Sequence, residues 1–180
     1  MKMLAESLKK APIVKKGEYN YVVHPITDGI PYITADLLNE VVDEIAKKMP
    51  KCERIVTMEA MGIPIASALC LRTGIPFTII RKRKYGLPEE KEVFQKTGYG
   101  KANLYINGIK RGDEIVIVDD VLSTGGTLIS VVKALEEIGA IIKGIFIAVN
   151  KGNKKDIENK IGKEIKTIID IEVDNEVKIL

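Results

Sequence analysis

"EIVIVDDVLSTGGT", residues 114–127, decides how the rest of the chain is read. Ile115, Val116, Ile117 and Val118 form an unbroken apolar run, the pattern of a strand (114–118) buried on both faces. Asp119 and Asp120 follow at once. Then Ser123, Thr124, Gly125, Gly126 and Thr127 lead into "TLISVVKALEEIG" (127–139), a helical stretch closed by Gly139. Such a turn is suited to an anion. Glycines permit tight curvature, backbone N–H groups and the hydroxyls of Ser123, Thr124 and Thr127 donate, and the helix N-terminus adds positive potential. No Gly-Lys-Ser/Thr follows and no Gly-x-Gly-x-x-Gly is present, so the cradle suits a monophosphate rather than a nucleoside triphosphate.

Two carboxylates beside an anion site make chemical sense if the phosphate belongs to a sugar. Adjacent acids can each accept a hydrogen bond from vicinal ribose hydroxyls. Their charge also favours a transition state whose anomeric carbon turns cationic. A bare Asp-Asp pair is more often an acidic strand end before an ordinary turn; the whole string between strand and helix favours the sugar-phosphate reading.

Upstream, "TADLLNEVVDEIAKKM" from Thr34 places Leu37, Leu38, Val41, Val42, Ile45 and Met49 on one helical face, with Thr34 as its cap. "RIVTM" (54–58) reads as a buried strand and "EAMG" as the turn after it. "IPIASALCLR" (63–72) reads as a helix with Pro64 in its first turn and Gly74 past its end. "PFTIIRK" (76–82) is a second strand, and the polar segment 83–100 reads as a long mobile loop. "ANLYI" (102–106) is a short strand before the Asn107–Gly108 turn. Beyond the 127–139 helix, "KGIFIAVN" (143–150) and "EIKTIIDIEV" (164–173) are further strands. Alternating strands and helices predict an α/β fold, doubly wound, with a mostly parallel sheet flanked by helices. In that architecture the turns at 59–62, 83–100, 119–126 and 150–153 converge on one rim, where ligands bind.

The 180 residues suit a single domain, 1–180, and a net charge of +3 is compatible with anionic small molecules but too weak to argue for nucleic acid. Cys52 and Cys70 have no CxxC or histidine companion, which argues against zinc and for reduced thiols. No signal-peptide pattern and no run of about 20 apolar residues occurs, so a cytoplasmic protein away from membranes is expected.

The string "VIVDDVLSTGGT" resembles the phosphoribosyl-pyrophosphate (PRPP) signature of the type I phosphoribosyltransferases. "MEAMGIPIA" (58–66) is similar to that family's pyrophosphate loop, and "RKRKYGLPEE" (81–90) to its flexible catalytic loop. "GYGKANLYI" (98–106) resembles the segment just after that loop in adenine enzymes. "YVVHPITDGIP" (21–31) and the overall length look most like the archaeal hypoxanthine/guanine group. The resemblance implies a purine salvage enzyme that converts hypoxanthine or guanine plus PRPP to IMP or GMP plus pyrophosphate.

It assigns Asp119 and Asp120 to the ribose hydroxyls, and Ser123, Thr124, Gly125, Gly126 and Thr127 to the 5′-phosphate. Glu59, Ala60, Met61 and Gly62 would form the pyrophosphate loop, with Arg81 and Arg83 contacting pyrophosphate. Tyr85 and Tyr99 would lie in the loop that closes over the reacting sugar; a disordered surface segment is the alternative, and mere packing of that loop the plainer reading of Tyr85, Phe94 and Tyr99. Magnesium is implied through the substrate, with Asp119 and Asp120 as candidate ligands, and a homodimer is implied. Residues 1–33 and 150–180 would make a hood over the base, with the core at about 34–150.

In the 6-oxopurine members a lysine just beyond the strand ending at Asn150 donates to O6 of the base, which points to Lys151. An ammonium can only donate, so it suits a keto oxygen and disfavours an amino group. Adenine enzymes carry a glutamate where Gly98 stands here. Some oxopurine members carry an acid where Ser123 stands, so no general base is named. Adenine or xanthine as the base stays open, as does a PRPP-sensing regulator. The Arg81–Lys84 run also reads as a solvated face or a nucleic-acid contact, an exposed turn is the alternative for Lys151, and His24 reads as structural.

Overall fold

The computed structural model describes residues 2–17, 19–94 and 103–180. Helix α1 (Lys2–Lys9) is followed by the hairpin β1 (Ile13–Lys16) and β2 (Tyr19–Val22), the short helix α2 (Pro25–Asp28) and the long helix α3 (Ala35–Lys48). Then come β3 (Arg54–Met58), α4 (Gly62–Thr73), β4 (Phe77–Ile80), β5 (Lys91–Phe94) and β6 (Asn103–Ile106). The chain continues through β7 (Glu114–Leu122), α5 (Gly126–Ile138), β8 (Ile141–Asn150), α6 (Lys154–Ile161), β9 (Lys166–Val173) and β10 (Val177–Ile179).

Six strands form the central sheet in the order β10-β9-β8-β7-β3-β4. All pairs are parallel except β9–β10, which is antiparallel. The chain runs outward from β3 to β4 on one side and from β7 through β8 to β9 on the other. The β3/β7 boundary is therefore the switch point at which a crevice opens beyond the carboxyl ends of the strands. Alternation along each strand feeds two cores. In β7, Val116 and Val118 join the core beneath α1, α3 and α4, while Ile115 and Ile117 join the one beneath α5 and α6. Burial on both faces is why Ile115–Val118 carries no polar residue before Asp119.

Helix α3 starts as expected, with Thr34 Oγ1 accepting from Leu37 N–H, and Gly74 and Gly139 end α4 and α5 in the left-handed conformation. Two expectations are corrected. The aspartates lie inside β7, which runs on to Leu122 because β8 accompanies it as far as Asn150. The 83–100 segment is not all loop: Lys91–Phe94 pairs antiparallel with β6 and buries Val93 in the second core. Of the segments expected as a hood, α1 packs in the first core through Leu4 and Leu8, and β9 and β10 extend the central sheet. Among the described residues, no helix is long and apolar enough to cross a membrane.

Candidate functional site

The carboxyl ends of β3 and β7 and the start of α5 enclose a cleft of about 220 Å³. Met58 and Glu59, the run Asp119–Leu128 and Ile147 line it. Every residue of the expected sugar-phosphate site is therefore in one place: Asp119, Asp120, Ser123, Thr124, Gly125, Gly126 and Thr127. Gly125 is the N-cap of α5 at φ 75°, and no side chain caps the helix. The first N–H groups of an α-helix lack intrahelical partners, so they face the cleft as donors. Gly125 also packs against α6: a Cβ there would come within 2.5 Å of Ile157 Cδ1.

Asp120 is 7% exposed and Asp119 half-buried. Burial pushes both carboxyls above the usual carboxylate range, and the Asp119 charge adds to the push on Asp120.

On the β3 side, Glu59 lines the cleft while its Oε2 accepts from Arg81 Nε at 2.6 Å and from Lys82 N–H at 3.2 Å. The Glu59–Ala60 peptide bond is cis. Ala60 is exposed, and Met61 turns toward Gly29 at the end of α2. Gly62 is required by close approach: a Cβ would collide with Thr57 Oγ1 and lie 2.7 Å from Asp119 Oδ1.

The basic run and its loop are placed differently. Arg81 reaches the cleft only through Glu59, and with Tyr85 it lines a more open groove beside β4. The Arg83 guanidinium lies 5.7 Å from the Tyr85 ring centroid. Glu90 organises this turn by accepting from Tyr85 N–H, Gly86 N–H and Asn107 Nδ2. Phe94 is 72% and Tyr85 47% exposed in this conformation. Tyr99 and Gly98 lie outside the described residues.

Lys151 follows β8 directly. Its N–H bonds Leu122 O at 2.9 Å, which ties it to the strand that carries the aspartates. Its Nζ lies 4.5 Å from the Tyr21 ring centroid. Gly152 N–H donates to Asn150 Oδ1, and Asn150 Nδ2 donates to Asp170 Oδ1. A Cβ on Gly152 would collide with the Ser123 carbonyl, so the lysine turn and the phosphate turn pack directly on each other.

Sequence reasoning gave no role to Tyr21, Asp28, Asn150 or Asp170. Tyr21 OH donates to Asp28 Oδ1 at 2.7 Å, while Asp28 Oδ2 accepts from Thr27 Oγ1 and His24 N–H. Burial alone would raise Asp28. Hydrogen bonds from Thr27, His24 and Tyr21, with the Lys151 charge, hold it below the usual carboxylate range. Tyr21 and Asp28 both fall in "YVVHPITDG" (21–29), with Asp28 the last residue of α2, but nothing in that string points to Lys151. His24 is fully buried and structural. Its Nδ1 accepts from Ile26 N–H, which puts the proton on Nε2 to meet Ser7 Oγ at 2.9 Å. Among the described residues, no group of three or more His, Cys, Asp or Glu could hold a metal ion.

The phosphoribosyl transferase domain model matches residues 32–179. A hypoxanthine/guanine phosphoribosyltransferase from Methanothermus fervidus is 51% identical over 100% of this chain and 97% of its own. One from Methanocaldococcus infernus is 56% identical over 94% of each. In three dimensions, adenine phosphoribosyltransferase from Thermoanaerobacter pseudethanolicus superimposes with a TM-score of 0.77 at 26% identity, over 93% of this chain and 99% of that one. The matched span runs from just before the N-cap of α3 to β10 and takes in the whole cleft; the chain belongs to the phosphoribosyl transferase domain family.

Proposed function

We propose that the protein is a purine phosphoribosyltransferase of salvage, forming IMP or GMP and pyrophosphate from PRPP and hypoxanthine or guanine. The observation that carries the reading is one cleft in which Asp119 and Asp120 adjoin the uncapped α5 N-terminus, with Lys151 bonded to the same strand end. The end-to-end similarity to the hypoxanthine/guanine enzymes supports the choice of base over adenine.

In this reading the 5′-phosphate takes the N–H groups and hydroxyls of Ser123–Thr127, and the aspartates accept from the ribose diol. The bond from the anomeric carbon to pyrophosphate breaks with its electron pair leaving on oxygen, and a purine ring nitrogen bonds to that carbon and gives up its proton to water. Asp119 and Asp120 stabilise the positive charge on the sugar as it develops. The Glu59–Gly62 turn receives pyrophosphate, and Arg81 is released from Glu59 to meet it. Arg83 and the Tyr85–Tyr99 segment act from the loop side.

Two carboxylates are too few for an all-protein cage but fit magnesium that arrives on the substrate's own oxygens. When bound, magnesium neutralises charge on the departing pyrophosphate. Lys151 Nζ donates to O6 of the base. We place the enzyme in the cytoplasm as a homodimer, with the Tyr21–Asp28 segment and the Lys151 turn, rather than all of 1–33 and 150–180, lying over the base.

The test is product formation from hypoxanthine, guanine, xanthine and adenine, each with PRPP and magnesium. Turnover of the first two supports the reading. Turnover of adenine alone overturns the base assignment.

A further inference from the structure

Lys151 is positioned from two directions by groups that the sugar-phosphate chemistry does not use. From the backbone side, Asn150 bridges Gly152 N–H and Asp170 and so fixes the turn that carries the lysine. From the ammonium side, the Tyr21 ring lies 4.5 Å from Nζ, inside the distance at which an aromatic face attracts a cation. That ring is itself tethered. Its hydroxyl donates to Asp28 Oδ1, Asp28 Oδ2 is held by His24 N–H and Thr27 Oγ1, and the His24 ring is bolted to Ser7 of α1. The hairpin is pinned independently, with Asn20 Nδ2 donating to Asp174 O.

We propose that Tyr21 is a specificity-determining positioning residue, which sets the direction of the Lys151 ammonium toward the keto oxygen of a 6-oxopurine. The inference rests on Lys151 facing the base. Tyr21 acts twice. Its π-face attracts the ammonium and so fixes where Nζ lies relative to the turn that carries Lys151. Its hydroxyl occupies Asp28 Oδ1, one of the carboxylate acceptors whose charge Lys151 already feels. Without that hydroxyl, Asp28 gains an open acceptor that competes with O6 for the same ammonium.

The experiment is steady-state kinetics of the full chain with hypoxanthine and PRPP for Tyr21→Phe, Tyr21→Leu, Lys151→Ala and Tyr21→Phe/Lys151→Ala. Tyr21→Phe should raise KM for hypoxanthine about tenfold, the loss of one well-made donor interaction, and leave KM for PRPP nearly unchanged. Tyr21→Leu should approach Lys151→Ala. In the Lys151→Ala background, Tyr21→Phe should have no further effect. A packing role for Tyr21 would move both KM values together or add its full effect in that background, and either result overturns the proposal. If Lys151→Ala weakens hypoxanthine but both Tyr21 variants do not, this inference alone fails. If Lys151→Ala itself leaves hypoxanthine use intact, the base assignment fails and takes the inference with it.

Discussion

His24 offers a measurable consequence of burial. Its ring is fully enclosed, Nδ1 is committed as an acceptor to Ile26 N–H, and burial pulls its pKa from 6.5 down to about 4, with the Asp28 charge opposing only in part. The unfolded chain therefore binds the His24 proton more tightly than the folded one. Unfolding takes up that proton between the two values, so stability is full above about pH 6.5 and falls as pH drops toward 4. At about 1.4 kcal/mol per pH unit the whole window is worth about 3 kcal/mol, of which about 2 kcal/mol is lost between about pH 7 and pH 5. His24→Asn supplies a non-titrating side chain that can still accept from Ile26 N–H. Urea unfolding followed by circular dichroism at about half-unit steps from about pH 5 to 7.5 should show the wild type losing this extra stability and the variant not. A wild-type-minus-variant difference that stays constant across that range would refute the neutral, buried histidine.

Three further substitutions probe the cleft. Asp120→Asn should cut turnover by about 100-fold or more, as loss of one preorganised electrostatic group does. Its melting temperature should not fall, because it removes one of two acids that burial already disfavours as anions; near-normal turnover would remove the ribose role. Lys151→Ala should raise KM for hypoxanthine and guanine well above any change for PRPP, and equal losses would move Lys151 out of the base pocket. Gly152→Ala forces a Cβ against the Ser123 carbonyl, so it should cost about 1–3 kcal/mol and raise KM for both substrates. Unchanged thermal melts and kinetics would show that the two turns are not packed together.

The sheet was legible because its strands announce themselves. A strand buried on both faces reads as an apolar run, and β3, β7 and β8 contain such runs. The gathering of Asp119, Asp120 and Ser123–Thr127 at one cleft was legible because one contiguous string holds the strand, the acids and the helix start. Less was legible where tertiary partners decide the outcome. Lys91–Phe94 has too short a pattern to read as a strand, and only pairing with Asn103–Ile106 makes it one. Asp119 and Asp120 fall within the strand because β8 continues beside them, which no local propensity encodes. Tyr21 and Asp28 meet Lys151 across more than 120 positions of chain, a distance at which spacing carries no signal. Arg81 and Arg83 read as one basic run, yet the structure separates them, one on Glu59 and the other on Tyr85.

The central claim is that the turn at Ser123–Thr127 receives a sugar phosphate whose diol is gripped by Asp119 and Asp120. A crystal structure of the protein with GMP tests it most directly. The account predicts phosphate oxygens on the N–H groups at the start of α5, ribose hydroxyls on the two carboxylates, and the guanine keto oxygen on Lys151 Nζ. GMP bound elsewhere, or with its phosphate turned away from the α5 N-terminus, would contradict it.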